Sequence, residues 1–197
     1  MRRHGAFDFR RTRAAIFVFA LPLAGCTGPG LCVHGKNWPF KIGTDPQARD
    51  VSLAPEEATI DELRSFPHVE RPASGRIAPV ELTTYVLRDV ELRSFQRAPD
   101  GDVHAVLADE HGHTIIVEAA PPFCADKNSP FYDSIARVRT VVDAEIPNAM
   151  MGWRKRTVSL AGVGYFDSLH GQMGVAPNGI ELHPILAICF GRACRLP

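Results

Sequence analysis

The chain has 197 residues, 22 lysines and arginines balancing 22 aspartates and glutamates, and 45% hydrophobic residues. That is enough apolar material for one domain with a real core, and no internal repeat or low-complexity tract suggests a second. The neutral balance argues against a nucleic-acid partner, because binding a polyanion normally requires a basic excess.

The charge is unevenly spread. Arg2, Arg3, Arg10, Arg11 and Arg13 face the single acid Asp8 in the first thirteen residues, the pattern of the cationic start of a secretory signal. The apolar run Ala14–Leu23 follows. It is about ten residues long, half of what a helix needs to cross a bilayer, and so reads as the hydrophobic part of a signal peptide. Leu23-Ala24-Gly25-Cys26 then resembles a bacterial lipobox, which implies cleavage before Cys26 and acylation of its thiol. Removing residues 1–25 leaves 17 basic against 21 acidic residues, a charge near −4. Thr27 in place of an aspartate removes an inner-membrane retention signal, so the expected address is a membrane-anchored lipoprotein of the cell envelope. In a Gram-negative host this is the outer membrane, facing the periplasm. Two or three acyl chains anchor stably where one would not.

Apart from Cys26, the cysteines are Cys32, Cys124, Cys189 and Cys194, an even number in an oxidising compartment. Three pairings are open. Cys189 and Cys194 are near enough in sequence to close a small loop, which would leave Cys32 for Cys124. No C-x-x-C pair supports a zinc cluster.

Residues 26–79 read as an arm or linker, rich in Pro and Gly. Trp38–Pro46 has no clear period and is expected to be a packed loop. Pro55–Arg64 reads as one short helix, with Pro near its start, acids in the first turn, Arg in the last and Ser52 as a plausible cap.

From residue 80 to 197 the pattern changes to strands. A long alternating run from Val80 through Phe95 comes first, then a turn at Pro99–Asp102. Strands at Val103–Ala108 and Thr114–Ala119 flank the polar loop Asp109–His113, where His111 and His113 read as solvated. A helix from about Pro130 to Glu145, capped by Ser129 or Asp126, places Phe131, Ile135, Val138, Val141 and Val142 on one face, and Pro147 would end it. Arg156–Phe166 and Ile180–Phe190 supply two more strands around a long loop. The order β-β-β-α-β-β, mainly β with one principal helix, resembles the OB-fold, a five-stranded barrel whose ligand cleft lies at strands two and three and the loops joining strands one to two and four to five.

The long loop and the strand after it contain Gly174-Val175-Ala176-Pro177-Asn178-Gly179-Ile180-Glu181-Leu182-His183-Pro184. This resembles a motif of uncharacterised exported bacterial proteins, a resemblance that extends more weakly over Trp38–Asp45, Asp102–Leu107, Ile116–Glu118 and Pro121–Cys124. It implies no activity.

On an OB barrel, Asp102, His104, Glu118, Gln172 and Asn178 would line the cleft, with Asp100 nearby. His170, Glu181 and His183 are candidate ligands of a divalent metal that could activate a hydrolytic water, since Glu181 and His183 share a strand face. The competing reading is structural: Pro177-Asn178-Gly179 is a tight turn needing glycine's backbone freedom, His170 and Gln172 bond the loop to itself, and Glu181 accepts such donors. Asp100-Gly101-Asp102 looks like the acidic turn of thermonuclease-type OB enzymes, but the third strand lacks their arginine. Phosphate loops, dinucleotide fingerprints and nucleophile elbows are absent. The expected function is therefore a binding or structural module of the envelope, with no cofactor required and a small ligand or envelope protein as partner. A secreted metal-dependent hydrolase of the phosphodiesterase or nuclease kind is the alternative.

Overall fold

The structure is a computed structural model that describes Cys32 and residues 35–72, 74–146 and 151–196. The signal segment, Cys26 and Pro147 lie outside the described residues.

Six strands form one sheet: β1 (Ser52–Glu57), β2 (Thr83–Arg97), β3 (Val103–Ala108), β4 (Thr114–Ala119), β5 (Met151–Phe166) and β6 (Ile180–Phe190). Their order is β1-β2-β3-β4-β6-β5, and a further β2–β5 pairing closes β2 to β6 into a five-stranded barrel. The pairings β2–β3, β3–β4, β5–β6 and β2–β5 are antiparallel, whereas β4–β6 is parallel. Helix α3 (Tyr132–Glu145) sits between the third and fourth barrel strands. This is the OB-like barrel expected from the element order.

Closure depends on the length of β2. Its outer reach pairs with β3 from Glu91 to Arg97, while the whole strand pairs with β5 from Thr84 to Gln96. The register shifts between Leu87 and Val90, where Asp89 has φ 48° and donates its backbone N–H to Ser159 Oγ at 3.0 Å. Such a bulge bends a strand enough to serve two neighbours.

Alternation fills the interior. Leu87, Leu92, Phe95, Val103, Ala105, Leu107, Ile115, Val117, Leu160, Ile180 and Leu182 belong to one buried cluster, joined by Val138, Val142 and Ile146 from α3 and the segment after it. The N-cap of α3 is Phe131, with no side-chain cap, instead of Ser129 or Asp126; Ser129 Oγ accepts the N–H of Phe131 at 3.1 Å in the turn before the helix.

The N-terminal arm is more ordered than its sequence suggests. Trp38–Ile42 is not a loop but a short helix, α1, with Pro39 in its first turn and Gly43 at φ 70° as its C-cap. A Cβ on Gly43 would lie 2.3 Å from Phe131, so glycine is needed for space as well as for conformation. The helix expected over Pro55–Arg64 is also corrected. Its first half is the exposed strand β1, parallel to β2, and α2 starts only at Ile60 and ends at Ser65. Its N-cap is Thr59 instead of Ser52, in a reciprocal capping box with Glu62. Disulfides join Cys32 to Cys124 and Cys189 to Cys194.

Candidate site on the outer face of the barrel

With Ala105, Val117 and Leu182 turned inward, their strand neighbours His104, Glu118, Glu181 and His183 face outward. His104 pairs with Glu118 across the β3–β4 ladder. The parallel register Ile116↔Glu181 and Val117↔Leu182 then brings His183 beside Glu118. Asp102 joins from the turn that enters β3.

A polar cluster results, and it is buried. Asp102 is 2% exposed, Glu181 2% and His183 0%. His183 Nδ1 lies 2.7 Å from Glu118 Oε2 and 3.4 Å from Glu181 Oε1, and its Nε2 lies 3.8 Å from Asp102 Oδ2. Neither ring nitrogen has an aligned hydrogen-bond partner, and Asp102 Oδ1, Glu181 Oε1 and Tyr165 Oη share that condition. Glu118 Oε1 is held by His104 Nδ1 at 2.9 Å.

Helix α1 covers the cluster. Lys41 Nζ stands 3.5 Å from Glu118, 3.6 Å from Glu181 and 3.7 Å from Asp167. The Trp38 ring meets that of His183 edge-on at 6.5 Å, and Tyr165 approaches it from β5 at 6.1 Å.

The charges shift one another. Burial alone would lower Lys41, but Glu181, then Glu118 and Asp167, outweigh it and hold the ammonium well above its ordinary value. Burial would likewise raise Glu118, yet the charge of His183, the hydrogen bond from His104 and Lys41 keep its carboxyl well below the usual range. Asp102 has no such support. Burial, countered by His183 and reinforced by Glu118, pushes it up to about 7. Glu181 is raised for the same first reason, with the Glu118 charge adding to it. His183 is lowered by burial and by Lys41, but Glu118 prevails and lifts it to about 9.

Of the residues singled out from sequence, Asp102, His104, Glu118, Glu181 and His183 come together, and three do not. His170 is exposed on the β5–β6 loop, 4.0 Å from Asp167, and joins no group of metal-ligating side chains among the described residues. Gln172 bonds the loop to itself, accepting the N–H of His170 at 3.1 Å and donating to the carbonyl of Ser168 at 3.2 Å. Asn178 is buried instead of facing the cleft beside His104. Its Nδ2 donates to the carbonyls of Leu63 and Phe66 at 2.9 and 3.0 Å and so closes the end of α2, while Gly179 beside it takes φ 78°. Asp100 accepts the N–H of Asp102 at 3.1 Å. His113 lies 2.5 Å from Asp61 and 3.4 Å from Asp109, so it is paired as well as solvated.

Sequence reasoning missed Lys41, Asp167, Trp38 and Tyr165. The one available signal was a lone lysine between Phe40 and Ile42, an ammonium in an otherwise apolar stretch of an arm.

Beside the cluster the outer face opens into a cleft of about 300 Å³ between the end of β2, β3 and the β5–β6 loop, lined by Ser94, Phe95, His104, His170, Gln172 and Met173. His104 connects the two, with one ring edge in the cleft and Nδ1 on Glu118.

No protein-family model matches the chain, and comparison with curated proteins finds no relative.

Proposed function

We propose that the protein is a lipoprotein of the bacterial cell envelope, anchored through acylated Cys26, whose barrel is a binding module for a small ligand or a segment of an envelope protein. The observation that carries the binding half is the cleft beside His104, which lies where OB barrels bind, at the second strand and the loop between the fourth and fifth. The anchor rests on the cationic start, the short apolar run and Leu23-Ala24-Gly25-Cys26 in register. Among the described residues no helix is long and apolar enough to cross a membrane.

A larger depression of about 780 Å³ lies against α2 and the paired strands β2 and β5, but its charges include Arg88 paired with Glu57, and Arg156 with Glu145 nearby. Its lining mixes acids and bases, with Glu62, Glu110, Lys155 and Arg192 beside those pairs, so it presents no single charge to a ligand. The hydrolase reading draws no support from the β5–β6 loop, because His170 stands apart from Glu181 and His183 and those two are shut away from a substrate.

Cells expressing the chain with labelled palmitate should give a labelled membrane-bound protein, and Cys26→Ala should be unlabelled. An unlabelled wild type would end the anchor reading. For the cleft, a photo-crosslinker at Met173 should trap discrete adducts in cells while one at the equally exposed Leu53 does not. Identical patterns at the two positions would count against a binding face there.

A further inference from the structure

We infer that Asp102, Glu118 and His183 together bind one divalent cation, with zinc the best match, as a buried structural ion beneath α1.

Three separated segments, the turn before β3, β4 and β6, each deliver one ligand atom, and the three atoms lie within 4.8 Å of one another. One imidazole nitrogen and two carboxylate oxygens suit zinc, and manganese next. The second observation is the state of His183. Its side chain is wholly buried, and while Nδ1 stands 2.7 Å from Glu118, Nε2 on the Asp102 side lacks a hydrogen-bond partner, as does Asp102 Oδ1. Buried polar atoms are almost always satisfied, so the unpaired Nε2 of His183 and the Asp102 carboxylate 3.8 Å from it call for a group between them.

The carboxylates indicate what kind of group. Asp102, Glu118, Glu181 and Asp167 bring four carboxylates to this region, and among the described residues Lys41 is the lysine or arginine paired with them, with His104 and His183 as imidazole partners. Its ammonium serves Glu118, Glu181 and Asp167, leaving the Asp102 and Nε2 side of His183 unserved. A water could satisfy the unpaired dipoles there, and a divalent cation would in addition pair with the Asp102 carboxylate, with which Lys41 forms no ion pair. The surroundings resemble an outer shell: His104 fixes the Glu118 carboxylate through Oε1, and Glu181 lies 3.4 Å from His183 Nδ1, opposite the Asp102 side. With Trp38 and Lys41 above, an ion here would have no room for substrate. It would instead tie the entry of β3 to β4 and β6.

The test uses the whole purified chain, stripped with chelator and titrated with zinc chloride, then manganese chloride. One equivalent per chain should bind by native mass spectrometry and raise the melting temperature by about 5–10 °C at a hundredfold excess over Kd. Asp102→Asn and Glu118→Gln, which keep shape and remove charge, should each weaken binding at least about tenfold. His170→Ala should bind as the wild type does. The inference is overturned if the wild type takes up no equivalent and melts alike with and without chelator. It is equally overturned if both amide variants bind normally, or if Asp61→Asn abolishes binding, which would place the ion at the exposed Asp61, Asp109 and His113 group.

Discussion

Two of the helices that cover the barrel, α3 and α1, are held by opposite means. Helix α3 closes one end with apolar side chains: Ile135, Val138 and Val142 are at most 2% exposed, spaced to lie on one face. Helix α1 covers the outer face with five residues, of which Ile42 alone is buried. So short a helix has no stability of its own in water. Its position is set by charge and by tethers. Arg76, fully buried at its head, forms two contacts to Asp45 at 3.1 and 2.6 Å and donates to the Phe40 carbonyl at 2.9 Å, and the Cys32–Cys124 bridge fixes the chain just before the helix. Hydrophobic cover tolerates small losses one contact at a time, whereas charged cover fails when one partner goes, because the other is left buried and unpaired.

The largest effect should therefore come from Arg76→Ala, which abandons the Asp45 carboxylate and the Phe40 carbonyl together. We expect a loss of about 3–5 kcal/mol in urea unfolding, with hydrogen exchange in α1 rising before that of the barrel strands. Uniform exchange across arm and barrel would mean that α1 is integral to the barrel and not a separately held cover.

The same contrast explains what could be read from the sequence. The boundaries of β3, β4 and β6 followed from short apolar runs bounded by turn residues, and α3 from its three- and four-residue steps, because burial selects apolar side chains and, on a helix, imposes a period. β1 could not be found that way. All six of its residues are exposed, and Pro55 followed by two glutamates imitates a helix start. It exists because β2 offers a free edge, which is a tertiary fact. In the site, Glu181 and His183 were legible as strand neighbours, and His104, Glu118 and Asp102 as polar residues on outward positions. Lys41 was not, since nothing local indicates that an ammonium 77 residues before Glu118 will land on it. His170 failed for the converse reason: a loop rich in functional side chains looks like a site whether or not its backbone carries them inward.

Lys41→Met sharpens the comparison at the next level. The substitution leaves an unbranched side chain one atom shorter and removes the cation shared by Glu118, Glu181 and Asp167. Glu181, already raised by burial, can take a proton in place of the lost charge, so the cost should be smaller than for Arg76, about 2–3 kcal/mol with chelator present. A neutral or stabilising result would mean that the methionine packs under Trp38 well enough to replace the ion pairs, and that α1 is held as α3 is.

The smallest effect belongs to the surface of α3 itself. Asp143 accepts from Arg97 at 2.8 Å and from Arg139 one helical turn earlier at 3.1 Å. Burial pushes its carboxyl up, but the hydrogen bonds from Arg97 and Arg139 outweigh this and hold it below its ordinary value. A depressed folded pKa means that the carboxylate adds stability above the unfolded value of about 3.9, and that the gain is lost as pH falls through the folded value. With its side chain 47% exposed, solvent screening reduces the contribution of Asp143 to about 0.5–1 kcal/mol. Asp143→Asn should therefore cost that much at pH 7, with the gap from wild type closing as pH drops below about 4. A gap independent of pH would show that the arginines are held by the amide as well as by the charge. Polar contacts on α3 would then matter through shape alone, in contrast to those under α1.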